Sequence, residues 1–287
     1  MAAICSEVTR LPATVSRIRA PIVGAVPQGN QLLAGMPADI REILFPRLQR
    51  VWLPLGSVLH EAGDRMRQVY FPTDSLVSLS MAMEDGTATE IAAVGNEGLV
   101  GLAGIMGGES SLARALVVDP GSAFSVSRAC LMEFFHGNTA VQQLLLRYAQ
   151  ASLFQVAQTA ACNRRHSVEQ QFCRWLLQRL DHSDSLSVNA THEAIANVLG
   201  VRRETISQVA GRLQKLDLIH LSRCRLEVID RSQIEALCCE CYFVVRKETD
   251  RLLPPATCNL PRIRASSASP PAPIVSGRLA LPMAGAL

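Results

Sequence analysis

Between Thr191 and Leu221 two runs of helical spacing meet at one glycine, and that junction restricts the fold more than any other stretch of the chain. Ala194, Ile195, Val198 and Leu199 recur at intervals of three and four behind Thr191, whose hydroxyl suits an N-cap. The pattern is taken to begin as early as Ser187. Gly200 ends it and Val201 reads as a buried turn residue. A second helix then starts near Arg203, with Ile206, Val209, Leu213 and Leu216 inward. The segment LDLIHLSRCRLEVID follows as two short strands, Leu218 to Leu221 and Leu226 to Ile229, about a turn at Ser222 to Cys224. Helix, glycine turn, helix and hairpin make a winged helix-turn-helix.

Such a unit braces its second helix steeply on the first, so that the N-terminal face of the second can enter a DNA major groove. The face offered here is Arg202, Arg203, Glu204, Thr205, Ser207 and Gln208. Arginine pairs bidentately with guanine, glutamate accepts from cytosine N4, and glutamine bonds adenine or other base edges. Residues 198–226 carry six basic and two acidic side chains, a local net charge of +4, against +3 for the whole chain. Any nucleic-acid surface is therefore local, with Arg223 of the wing placed to meet phosphate. The other reading is a ligand-binding or scaffold protein whose winged helix contacts protein or RNA.

Upstream, residues 51–135 read as short apolar runs punctuated by turns, with Asp85-Gly86 a hairpin signal, which suggests a small antiparallel roll. Asn138 is a candidate cap, and Thr139 to Cys162 contains neither glycine nor proline. Val141, Leu145, Tyr148, Ser152, Val156 and Ala160 form a stripe along that helix. It suits either packing on its own domain or, preferred here, a two-helix dimer seam. Ser167 to Leu180 is a further amphipathic helix. The expected organisation is α+β: an arm at 1–29, a roll at 30–137, a dimerisation helix at 138–162, a winged head at 163–253 and a tail at 254–287. Arm and tail, rich in proline and small residues, are expected to be disordered.

With 48% hydrophobic and 18% charged residues the chain has material for a core. No run of 18 apolar residues occurs, since Ile91 to Met106 is broken by Asn96, Glu97 and glycines, so no membrane span is expected. Nine cysteines, an odd number and scattered, with no secretory leader, argue for reduced thiols in the cytoplasm. Catalysis is not expected: Cys130 with His136, or Glu61 with Asp64, are the nearest constellations, and neither has a catalytic context.

The stretch THEAIANVLGVRRETISQVAGRLQKLDLI resembles the Crp/Fnr family of bacterial transcription regulators, and the resemblance extends over about Asn30 to Ile229. It implies a cyclic-nucleotide-binding-like roll, a long dimerisation helix and a C-terminal winged helix, a homodimer on double-stranded DNA, and RNA polymerase as a further candidate partner. By the same resemblance Arg203 and Glu204 read a G·C pair, Gln208 replaces a second base-reading arginine, and Thr191 and His192 meet backbone phosphate.

In the family's nucleotide sensors a glycine turn and an arginine hold the cyclic phosphate, and a glutamate holds the ribose hydroxyl. The matching positions here are Gly98, Gly101, Leu102, Arg114 and Ala115. Leucine accepts no hydrogen bond, so a buried ribose hydroxyl would go unpaired at a cost of about 1–3 kcal/mol. No cofactor is expected, and a small-molecule effector of unknown identity is left open, as is a roll that has lost ligand binding. Cys5 stands alone near the N-terminus, unlike the clustered cysteines of the iron–sulfur branch. Cys238, Cys239 and Cys241 form a C-C-x-C run with no second C-x-x-C pair; they suit either a metal site or, preferred here, buried packing residues with one or two exposed thiols.

Overall fold

Alternation of apolar residues in short runs, each closed by a turn, produces the N-terminal half of the computed structural model, which describes residues 15–17, 29–84, 87–182 and 185–253. Two four-stranded antiparallel sheets face each other. One has the order β1 (Ser16–Arg17), β2 (Gln49–Leu53), β8 (Gly121–Ser127), β4 (Gln68–Pro72). The other has β3 (Val58–His60), β7 (Arg114–Asp119), β5 (Leu76–Ala82), β6 (Ala88–Val94). Inward residues of both sheets, including Val51, Leu53, Tyr70, Val77, Ala115 and Val117, fill the space between them. Asp85 and Gly86 lie outside the described residues, but Met83 donates to the Thr87 carbonyl at 2.8 Å, which closes the β5–β6 hairpin.

Two short helices, α1 (Gln31–Ala34) and α2 (Ala38–Leu44), precede the roll. The buried Asn30 caps α1 and its amide also donates to the carbonyls of Pro72 (2.9 Å) and Gly98 (2.8 Å). After β8 comes α4 (Arg128–Gly137), where the sequence pattern had suggested strand as far as Phe135. Ser127 caps it, and its apolar residues Cys130, Leu131 and Phe134 pack under the roll. The expected N-terminal arm is also partly structured: Val15 is buried and Ser16–Arg17 pair with Val51 and Trp52. The rest of the arm and the tail lie outside the described residues.

The glycine-free run becomes α5 (Thr139–Arg165), 27 residues capped by Asn138 on the amides of Ala140 and Val141. At 1.5 Å per residue it spans about 40 Å. Its first half lies on the roll. Val141, Leu145 and Tyr148 are buried in the protomer's own core, so this part of the expected seam is corrected. Ser152 and Val156 are half-buried and Ala160 is exposed. A different stripe is bare: Leu146, Gln150, Leu153, Ala157 and Ala160, spaced alternately by four and three.

The head comprises α6 (Val168–Asp181), β9 (Ser187–Asn189), α7 (His192–Leu199), α8 (Arg203–Lys215), β10 (Ile219–Ser222), β11 (Arg225–Val228), α9 (Arg231–Leu237) and α10 (Glu240–Leu252). Ser187 to Asn189, read from sequence as the start of a helical pattern, is instead a strand that pairs with β11 and completes a three-stranded wing. Phe172, Leu176, Ile195, Leu199, Ile206, Leu213, Leu226 and Tyr242 form the head's core. The head is also tied to the roll. Arg179 of α6 meets Glu90 of β6 at 2.6 Å, both more than nine-tenths buried, and His182 meets Glu97 at 2.9 Å.

Candidate nucleic-acid interface and the turn of the effector domain

Thr191 Oγ1 accepts from the Ala194 amide at 3.0 Å and so starts α7, whose inward residues Ile195, Ala196 and Leu199 brace α8. Gly200 ends α7 in the left-handed region (φ 65°), with its amide on the carbonyls of Ala196 and Asn197. An L-residue has open space there but would carry the left-handed penalty of about 1–2 kcal/mol. Val201 then turns the chain, and Ile206, Ala210 and Leu213 anchor α8 beneath.

The opposite face of α8 is bare. Arg202, Arg203, Glu204, Ser207 and Gln208 are exposed and Thr205 is half-buried. Neither arginine nor Glu204 takes part in an ion pair among those described, so three charges stand in solvent on the first turn of one helix. His192 Nδ1 lies 3.0 Å from Ser207 Oγ, which itself donates to the Arg203 carbonyl at 3.1 Å. Arg223 is exposed at the wing tip beside Cys224, which holds a left-handed φ of 57°. Helix tip, Thr191–His192 and wing tip thus supply the predicted DNA-contacting residues at the surface, with His192 and Thr205 half-buried and the rest exposed.

The cassette-like turn carries the residues matched to the family's nucleotide-binding positions in the following surroundings. Gly98 lies under Tyr148: a Cβ there would collide with the phenolic oxygen, and that hydroxyl donates to the Leu99 carbonyl at 3.2 Å. Burial pushes the Tyr148 hydroxyl's pKa well up, which keeps it a neutral donor. Gly101 takes a left-handed φ of 109° ahead of the one-turn helix α3 (Leu102–Ile105), and Leu102 packs against the core. Ala115 is buried inside the roll. Arg114 is half-exposed and pairs with Glu61 at 3.0 Å. Arg114 therefore does not line the large cleft of about 990 Å³ between roll, α5 and α10, whose walls include Glu97, Leu102, Ser152, Val156, His182 and Arg246. Sequence reasoning missed Glu97 and His182 as a pair, because only the docking of head on roll brings them together.

The site thus defines a class: a two-domain protein that joins an effector-type roll to a DNA-reading winged helix. Comparisons with known proteins agree. The model of the Crp-like helix-turn-helix domain matches residues 170–237, and that of the cyclic nucleotide-binding domain matches residues 50–138. A putative transcriptional regulator of the Crp/Fnr family from Eubacterium rectale ATCC 33656 shares the fold at TM-score 0.58 and 15% identity, covering 70% of this chain and 94% of its own. FixK2 from Bradyrhizobium japonicum does so at TM-score 0.59 and 16% identity, covering 67% and 98%. A transcriptional regulator of the CRP family from Thermus thermophilus gives 0.55 and 18%, covering 65% and 95%. No curated protein matches the chain. The two domains in this order place the chain in the Crp/Fnr family, and it is a DNA-binding transcription regulator. No helix among the described residues is long and apolar enough to cross a membrane.

Proposed function

We propose that the protein acts in the cytoplasm as a homodimer that reads an inverted repeat, inserting the first turn of α8 from each protomer into successive major grooves. The observation that carries this reading is the bare Arg202–Arg203–Glu204 turn, held outward by a packed α7. Arg203 and Glu204 contact bases, Gln208 extends the readout, and Thr191, His192 and Arg223 meet phosphates. Half-sites would be centred about 34 Å apart, one turn of duplex. The bare stripe of Leu146, Gln150, Leu153, Ala157 and Ala160 supports the pairing: its 4-3 alternation is the spacing of a two-helix seam. Contact with RNA polymerase belongs to the same reading.

Selection of bound duplexes from random DNA tests it. An inverted repeat should emerge, and Arg203→Ala should lower affinity for it by about 1–3 kcal/mol while relaxing the preference at one base pair. An Arg203→Ala protein that selects the parent's sequence with undiminished strength would overturn the assigned readout.

A further inference from the structure

Three cysteines and a histidine from two distant parts of the chain converge where the end of α5 meets the start of α10. Cys162 lies in the last turn of α5 and His166 is the extended residue that caps its C-terminus. Cys239 and Cys241 flank Glu240 at the first turn of α10. The four ligand atoms all lie within 4.8 Å of one another. Cys162 Sγ is 3.6 Å from Cys239 Sγ, and Cys241 Sγ is 3.5 Å from His166 Nδ1. A tetrahedral zinc ion with bonds of about 2.3 Å to sulfur and about 2.0 Å to nitrogen separates its ligands by roughly 3.5–3.8 Å. Two edges of the tetrahedron are already at that length.

We propose that Cys162, His166, Cys239 and Cys241 form a thiolate-rich zinc site that staples the dimerisation helix to the last helix of the head. The surroundings are those of a metal centre. His166 Nε2 lies 3.3 Å from the Glu240 carboxylate, so Nδ1 is the nitrogen turned to the thiols and Glu240 orients the ring. Gln158 Nε2 donates to Cys241 Sγ at 3.0 Å. Three thiolates on a dipositive ion leave one negative charge. The buried Arg174 is near enough to act electrostatically on Cys162, and its Nε has no hydrogen-bond partner among the described residues. His166 fills the fourth position and Cys162, Cys239 and Cys241 are all buried, so protein ligands complete the coordination away from solvent, as in a structural site. The grouping of all four ligand atoms suits one ion, because an iron–sulfur cluster spreads its ligands over more than one metal.

The full chain, purified without chelator, should carry one zinc per protomer by mass spectrometry of the elements. Replacing zinc with cobalt(II) should give the intense visible bands of a tetrahedral thiolate complex. Cys162→Ser/Cys239→Ser should abolish both signals, while Cys224→Ser, on the exposed wing, should keep them. Glu240→Gln, which acts through His166, should weaken zinc binding about 10- to 100-fold and leave the cobalt band positions in place. Parent protein with no more zinc than the double variant, a Cys162–Cys239 disulfide in its place, or an iron–sulfur chromophore lost in the double variant would each overturn the proposal. None of these readouts depends on DNA binding.

Discussion

His182 and Glu97 are buried together where head meets roll, and their ionisation is linked to that contact. Burial alone would lower the His182 pKa, but the Glu97 carboxylate 2.9 Å away outweighs it and holds the imidazole above its usual 6.5. Arg179 opposes that shift and Asp181 reinforces it. Burial would raise the Glu97 carboxyl, yet His182 and the Gly95 amide bring it below its usual 4.5. The histidine's contribution is complete below 6.5 and fades as pH rises through its raised value. The carboxylate's contribution is complete above 4.5 and fades as pH falls through its lowered value. Docking should therefore be strongest between those limits and loosen as pH climbs past 6.5 through the histidine's raised value. Thermal unfolding against pH should show this slope in the parent, and Glu97→Gln/His182→Gln should flatten it. At the effector turn, Leu102 offers no acceptor and Arg114 is paired with Glu61. Millimolar cyclic AMP or cyclic GMP should leave the melting temperature unchanged, whereas a ligand at 100 times its Kd would add about 2.7 kcal/mol.

At the scale of elements, α5 shows what a single chain's pattern can and cannot convey. The absence of breakers from Thr139 to Cys162 made the helix legible, and Asn138 made its start legible. Its faces were harder to separate. Apolar residues recur at three and four on two neighbouring stripes, and only the roll decides that Val141, Leu145 and Tyr148 face inward while Leu146 and Leu153 do not. Leu153 is 70% exposed. Leu153→Glu should convert a dimer to a monomer in sedimentation without lowering the protomer's melting temperature, whereas Leu145→Glu should unfold the protomer. The winged head was legible to within a few residues because Thr191, Gly200 and the alternation of Leu226 and Val228 each carry a local signal. The strand Ser187–Asn189 was not, since three residues of alternation are indistinguishable from a helix approach and its partner is β11, far along the chain. Cys162 and Cys239 belong to the same lesson: 77 residues separate them, and only the packing of α10 on α5 makes them neighbours.

For the molecule as a whole, the Arg179–Glu90 pair is, beside His182–Glu97, a buried charged link between the halves, at side-chain exposures of 8% and 9%. Removing one partner of such a buried pair normally costs about 3–5 kcal/mol, since the other charge is left without compensation. Here the cost has an outlet, because undocking returns Arg179 to water. Glu90→Ala should therefore enlarge the radius of gyration in solution scattering while the head's own unfolding temperature holds.

That docking has a bearing on genome searching. If each reading tip is fixed to its roll, and each roll to the central rod, the distance and phase between the two tips have little play. Adding one base pair to the spacer turns one half-site by roughly 35° relative to the other. A rigid pair of tips cannot follow that rotation, so near-matches with the wrong spacer should be rejected even when both half-sites are perfect.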